Sequence, residues 1–191
     1  MMVWTESEVG KGCNEICSSI YKFLCTINTT DIETVLTFSD TSGGQNRNKG
    51  IMSFVMFACE KFNIREWTHR YMEPGHSYLP NDRDFALIEK KKRKQDFFSL
   101  DEWIKIIENS NAKKPFKVIK MANSFVNVWS LTAKRLFKAV DDSGDRFNFL
   151  KLSWFSITKG SSTIEYGRND DITGTRRRYS CPLKPNEVID A

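Results

Sequence analysis

Histidine is nearly absent from this chain: His69 and His76 are the only two in 191 residues. Cysteine is scarce and scattered, at Cys13, Cys17, Cys25, Cys59 and Cys181, with no CxxC pair and no histidine nearby. Cys13 and Cys17, four apart, share a helix face, but that spacing alone does not make a zinc site. The five thiols read as reduced and mostly buried, as in an intracellular protein. The N-terminus lacks a basic region followed by an apolar core, so no secretory signal is expected. No apolar run approaches the roughly twenty residues that span a bilayer, and no membrane partner is expected. Without secretion, the acceptor triplet Asn28-Thr29-Thr30 carries no meaning. No internal repeat is present, and neither sign of charge dominates. A net charge of +5 permits contact with a polyanion without requiring it.

A core is well supplied. Hydrophobic residues make up 40% of the chain, with fourteen Phe and five Trp, which excludes a disordered tail. Residues 2–5 form a short extended run. Apolar positions 13, 16, 17, 20, 21, 24 and 25 follow the three-four spacing of an amphipathic helix over 11–25. Residues 34–38, Thr-Val-Leu-Thr-Phe, read as a buried strand, and 45–62 as a second helix after the pair Gly43-Gly44. Asn63 ends that helix, and 64–72 reads as a strand. A third helix is expected over 81–94, capped by Asn81 or Asp82. Ser99-Leu100-Asp101-Glu102 resembles a capping box that opens a short helix to Glu108. Beyond Pro115 the segments 116–121, 126–131, 147–157 and 163–166 look strand-like, with a turn at 141–145. The order up to residue 95 suits an α/β fold, a mainly parallel sheet with flanking helices.

The chemistry-bearing stretch is Phe38-Ser39-Asp40-Thr41-Ser42-Gly43-Gly44-Gln45-Asn46-Arg47-Asn48. It places a carboxylate at the C-terminal end of a strand, where open α/β sheets hold their sites. A second polar cluster, from Gly75-His76-Ser77 to Asn81-Asp82-Arg83-Asp84, leads into the helix that carries Glu89. Asp40 with Asp82, Asp84 or Glu89 makes a candidate split site for Mg²⁺, because hard cations take oxygen ligands and two-metal phosphoryl chemistry shares carboxylates. Each helix acid also has an ordinary explanation: Asp82 as a cap, Asp84 as a first-turn charge favoured by the helix dipole, Glu89 as a solvated residue. His76 either orders a carboxylate or phosphate or holds its own loop, and His69 faces a neighbouring side chain.

The segments Val3-Trp4-Thr5-Glu6, Gly12-Cys13-Asn14-Glu15-Ile16, the Gly-Gly-Gln-Asn-Arg-Asn string and the Gly-His-Ser…Asp-Arg-Asp-Phe string resemble a family of transposon-derived proteins. That family is abundant in arthropod and other animal genomes. Its core is related to the RNase H-like fold of DDE transposases and retroviral integrases. The resemblance covers residues 1–125 most closely. It implies an incomplete RNase H-like fold, a mixed sheet with flanking helices, over residues 1–112. A small β-rich extension would follow at 113–175 and a flexible tail at 176–191. Residues 2–5 would be the third strand of the opening meander, 34–38 the fourth strand and 64–72 the fifth. Asp40 would be the second catalytic acid, Asp84 or Glu89 the third, and Glu15 the extra glutamate of RNase H enzymes.

The first acid of such a fold belongs on a strand upstream of Met1, which implies a fragment or a degenerate copy. The expected function is therefore a catalytically inactive transposase-like domain, with weak Mg²⁺ binding at Asp40, Asp84 and Glu89. The alternative is a non-catalytic module that binds nucleic acid or protein. A longer form supplying the missing acid would restore a Mg²⁺-dependent nuclease. Candidate contacts to DNA are Gln45, Asn46, Arg47 and Asn48, and Lys91, Lys92 and Arg93. The run Lys90–Lys94 reads either as a nuclear import signal and phosphate patch or as a solvated helix end. A nuclear location follows from the first of these.

Overall fold

The computed structural model describes residues 1–73, 79–171 and 173–182, and for 130–132 the backbone alone. The chain divides into two compact units, one from the described residues of 1–10 and 78–126, the other from those of 11–77 and 127–191.

The larger unit is built on a five-stranded mixed sheet. Its strands are β2 (Thr34–Ser39), β3 (Glu66–Tyr71), β5 (Leu152–Thr158), β6 (Thr163–Arg168) and β7 (Arg177–Ser180), in that spatial order. β2 and β3 are parallel, from Thr34 opposite Glu66 to Ser39 opposite Tyr71. The remaining pairs are antiparallel. The β-rich extension thus continues the sheet from the free edge of β3.

Helices α1 (Cys13–Thr26), α2 (Lys49–Lys61) and α5 (Trp129–Leu136) supply the rest of this unit. α2 is its centre, with nine of its thirteen residues buried, and it packs on α1, α5, β3 and β5. A helix hydrophobic nearly all round has to sit inside a core. Phe54 of α2 meets the rings of Trp67 and Trp129 edge-on, at 6.1 and 5.0 Å. The helix ends in a Schellman turn: Asn63 takes a φ of 57°, and Ile64 N–H donates to the Cys59 carbonyl at 3.0 Å.

One sheet face carries Trp67, Tyr71, Phe155, Ile157, Ile164, Tyr166 and Tyr179, all buried. Alternation puts Leu36 and Phe38 on the opposite face, where they are 57% and 46% exposed. Residues 34–38 are therefore a half-covered edge strand, not the fully buried one expected from their composition.

The smaller unit holds a two-stranded parallel sheet, β1 (Met2–Val3) with β4 (Ile119–Lys120), and the helices α3 (Pro80–Lys92) and α4 (Leu100–Glu108). Its buried residues include Val9, Ile88, Ile106, Ile107 and Met121.

Three expectations are corrected. Residues 2–5 do not extend the main sheet as a meander strand; Met2 and Val3 pair in parallel with Ile119 and Lys120. Residues 126–131 are not a strand, because Trp129, Ala133 and Leu136 form an i, i+4, i+7 stripe that buries the helix α5. Residues 177–180 do not belong to a loose tail. Tyr179 is buried, stacked on Phe147 at 4.5 Å, and β7 pairs with β6.

Candidate functional site

Asp40 directly follows β2, at the C-terminal end of the parallel pair. Its Oδ1 accepts the Ser42 amide at 3.1 Å and the Asn46 side-chain amide at 2.6 Å. Ser42 in turn uses its carbonyl to accept the amides of Gln45, Asn46 and Arg47. The carboxylate is thus the pin of a tight polar loop, and it is solvent-exposed.

The residues that follow are committed to structure. Arg47 is buried, 7% exposed, and its Nε donates to the Leu152 carbonyl at 2.9 Å, with Nη2 on the same oxygen. Its guanidinium lies 5.2 Å from the centre of the Tyr71 ring. Burial lowers the Arg47 pKa, opposed by Tyr71. Asn48 is the N-cap of α2: its Oδ1 accepts from Gly50 N at 2.9 Å and Ile51 N at 3.2 Å, and its Nδ2 donates to the Gly43 carbonyl. Asn46 also lends its carbonyl to the Tyr71 hydroxyl at 3.1 Å. Of the four loop residues proposed to touch nucleic acid, Arg47 is removed by burial, and Asn46 and Asn48 are occupied in holding the loop. Gln45 remains at the surface, half-buried.

Behind the loop runs a polar chain that only the structure could reveal. Trp67 Nε1 donates to Thr37 Oγ1 at 2.9 Å, and Thr37 Oγ1 meets His69 Nδ1 at 2.7 Å. His69 Nε2 lies 3.0 Å from Ser39 Oγ, which donates to the Asp40 carbonyl at 2.8 Å. With the ring neutral and the Ser39 hydroxyl given to the Asp40 carbonyl, Nε2–H donates to Ser39 and Thr37 donates to Nδ1. The imidazole is then fully partnered. Burial pushes its pKa down to about 4. In this tautomer His69 gives a hydrogen bond to Ser39 and takes no proton from it, so the pair is not a nucleophile and its base. The ring serves as a strut between β2 and β3, stacked on Phe155 at 5.4 Å.

The other sequence-derived acids have local duties. Glu15 reaches back to accept the Gly12 amide at 2.7 Å at the start of α1. Asp82 does the same for Leu79 at 2.8 Å in α3. Glu89 pairs with Lys92 at 3.7 Å, and Asp84 sits half-buried in the first part of α3. Asp40 belongs to the larger unit, and Asp84 and Glu89 to the smaller. Among the described residues no group of three or more His, Cys, Asp and Glu side chains is placed to hold a metal ion. His76 lies outside the described residues. Lys91, Lys92 and Arg93 end α3; Lys92 lies over the Trp103 ring at 5.7 Å, and the other two are available at its surface.

A feature missed in sequence is the buried carboxylate of Asp141, at the turn before β5. It accepts the Ser143 and Asp145 amides at 3.0 and 2.9 Å and the Tyr166 hydroxyl, with Arg177 at 3.8 Å. Burial alone would raise its pKa; the hydrogen bonds from Tyr166, Asp145 and Ser143 outweigh it and set the pKa below 3.8. The thiols of Cys17, Cys59 and Cys181 are buried and pushed up, the last two to about 12, which makes them unreactive.

A parallel strand–helix–strand unit with an acid at its mouth, widened by an antiparallel half-sheet, defines a mixed α/β protein. The chain belongs to the family described as Domain of unknown function (DUF7869), whose model matches residues 1–149. No curated protein and no solved structure matches it. The matched span ends before β5, so it covers the parallel half of the sheet but not the antiparallel half. Among the described residues no helix is long and apolar enough to cross a membrane.

Proposed function

We propose that this chain is a transposon-derived, RNase H-like domain of the DDE transposase or integrase kind, without strong strand-cleaving activity of its own and with a weak contact to DNA. The observation that carries the proposal is the parallel β2–α2–β3 unit with Asp40 at its C-terminal end. That is where such folds place their second acid. Among the described residues β2 pairs with β3 alone, and its other edge, with Leu36 and Phe38 exposed, also suits a sheet that accepts a further strand there.

Mg²⁺ is the cofactor such enzymes require, and among the described residues of the larger unit Asp40 is the one candidate ligand for it. In the larger unit Asp40 has one oxygen engaged by Ser42 and Asn46, and no described acid cluster completes a ligand set. No step through a metal follows from this chain. A non-catalytic module is the second reading, favoured by the use of Asn46, Arg47 and Asn48 as loop architecture. Both place the protein inside the cell, with Lys90–Lys94 as the candidate nuclear import signal.

The test is incubation of the 191-residue protein with labelled single- and double-stranded DNA in Mg²⁺ or Mn²⁺, beside Asp40→Ala. The expected result is no cleavage above background in either protein. Robust cleavage that disappears in Asp40→Ala would show a complete site and overturn the inactive assignment.

A further inference from the structure

Helix α3 ends in five consecutive cations, Lys90-Lys91-Lys92-Arg93-Lys94, and the turn to α4 then presents Phe97 and Phe98. A residue just before a helix N-cap ordinarily folds back onto the fourth residue of that helix. Here Ser99 is the N-cap, Phe98 precedes it, and Trp103 is the fourth residue. Phe97 has taken that place, stacked on Trp103 at 4.7 Å and 27°, with Lys92 over the same indole at 5.7 Å. Phe98 is left 93% exposed. Its backbone is nevertheless fixed, because its amide donates to Glu102 Oε2 at 2.7 Å, and Ser99 Oγ accepts from Glu102 N at 3.2 Å. Lys92, Arg93, Phe97 and Phe98 line one depression of about 400 Å³ together with Gln95 and two carboxylates, Asp96 and Glu89, the latter paired with Lys92 at 3.7 Å.

An aromatic ring held out into water on a clamped backbone gains nothing for the fold, since its apolar area stays wet. Beside a run of cations it has the two components of a single-strand platform: a flat face for a base and positive charge for the phosphates. Bases in a duplex are closed off by their own stacking, so the ring can accept only an unpaired one. We infer that the α3–α4 turn binds single-stranded nucleic acid, with one base stacked on Phe98 and the adjoining phosphates against Lys92, Arg93 and Lys94. The inference rests on the proposed nucleic-acid contact and names its site and strand state.

The experiment is fluorescence anisotropy on the full chain with three labelled 12-mers: oligo(dT), an abasic strand of equal charge, and a duplex. Oligo(dT) should bind tightest, with a salt slope of about −2 for three phosphate contacts. Phe98→Ala and Phe98→Leu should each weaken oligo(dT) at least about fivefold and leave the abasic strand and duplex unchanged, because leucine keeps apolar area but has no π face. Phe98→Trp should restore binding and show indole quenching on titration. Lys92→Ala with Arg93→Ala should weaken all three probes and flatten the salt slope.

Equal binding of oligo(dT) and the abasic strand, or indifference to Phe98→Ala, would overturn the platform. So would equal binding of an acidic peptide such as oligoglutamate with the same dependence on Phe98, which would mark a protein-docking surface. Oligo(dT) and duplex binding that both ignore Phe98 would leave the DNA reading standing and sink this site alone. Robust Asp40-dependent cleavage with Phe98-dependent strand binding would do the reverse.

Discussion

Replacing Arg47 by alanine should unfold the larger unit more easily and leave any DNA binding unchanged. The guanidinium is 7% exposed and directs two N–H groups at the Leu152 carbonyl, where β5 begins. Truncation removes a charge-assisted contact worth about 1.5–3 kcal/mol and leaves a carbonyl short of its partner. Its stem and the face of Tyr71 also lose packing. A total near 3 kcal/mol corresponds to a fall in Tm of about 6–12 °C for a chain of this size. Arg47→Lys should recover little, because an ammonium cannot reproduce the two-pronged contact. Thermal melts and urea titrations, read beside anisotropy with DNA, supply the measurement. Unchanged stability with a large loss of DNA affinity would refute the architectural role and return Arg47 to the binding surface.

Acidification should expose the cost of burying His69. Its folded pKa is near 4 against 6.5 unfolded, so the unfolded chain binds the extra proton between those values. Stability is then whole above pH 6.5 and falls as pH drops towards 4, by about 3 kcal/mol in all. Urea titrations at pH 7 and 5 should show about 2 kcal/mol of that loss in the parent and a flatter profile in His69→Gln; parallel profiles would exclude it. Asp141→Asn should cost about 2 kcal/mol, because a carboxylate that accepts three hydrogen bonds beside the Arg177 cation is replaced by an amide that meets Tyr166 and Arg177 with its own N–H groups. The Asp141 contribution is present above pH 3.8 and fades as pH falls through its lower folded value, so the parent and Asp141→Asn should converge in acid; a constant difference would contradict the ion's role.

The parallel half of the sheet was legible because its signals are local. The β-branched run at 34–38, the Gly43-Gly44 turn and the apolar stripe of α2 each announce an element, and their order demands a parallel pair. Eleven residues from the chain's third quarter misled for a physical reason: Val126 to Leu136 alternates over its first half, and only Ala133 and Leu136, seen together with Trp129, reveal the helical period. The Gly-Gly-Gln-Asn-Arg-Asn string stood out as a functional motif because polar clusters at strand ends carry chemistry. Its hydrogen bonds instead run to Asp40, Gly43 and Leu152, and the last partner lies 105 residues away. The His69 strut was invisible for the same reason, since Thr37 and Ser39 come from a neighbouring strand.

The most direct measurement is titration of the chain with Mn²⁺, followed by water-proton relaxation, beside Asp40→Ala and Asp84→Ala. A lone carboxylate held by its own loop should give no saturable site below about 1 mM, and neither substitution should change the curve. A tighter site abolished by either substitution would contradict the account, because it would show that Asp40 or Asp84 belongs to an assembled metal centre.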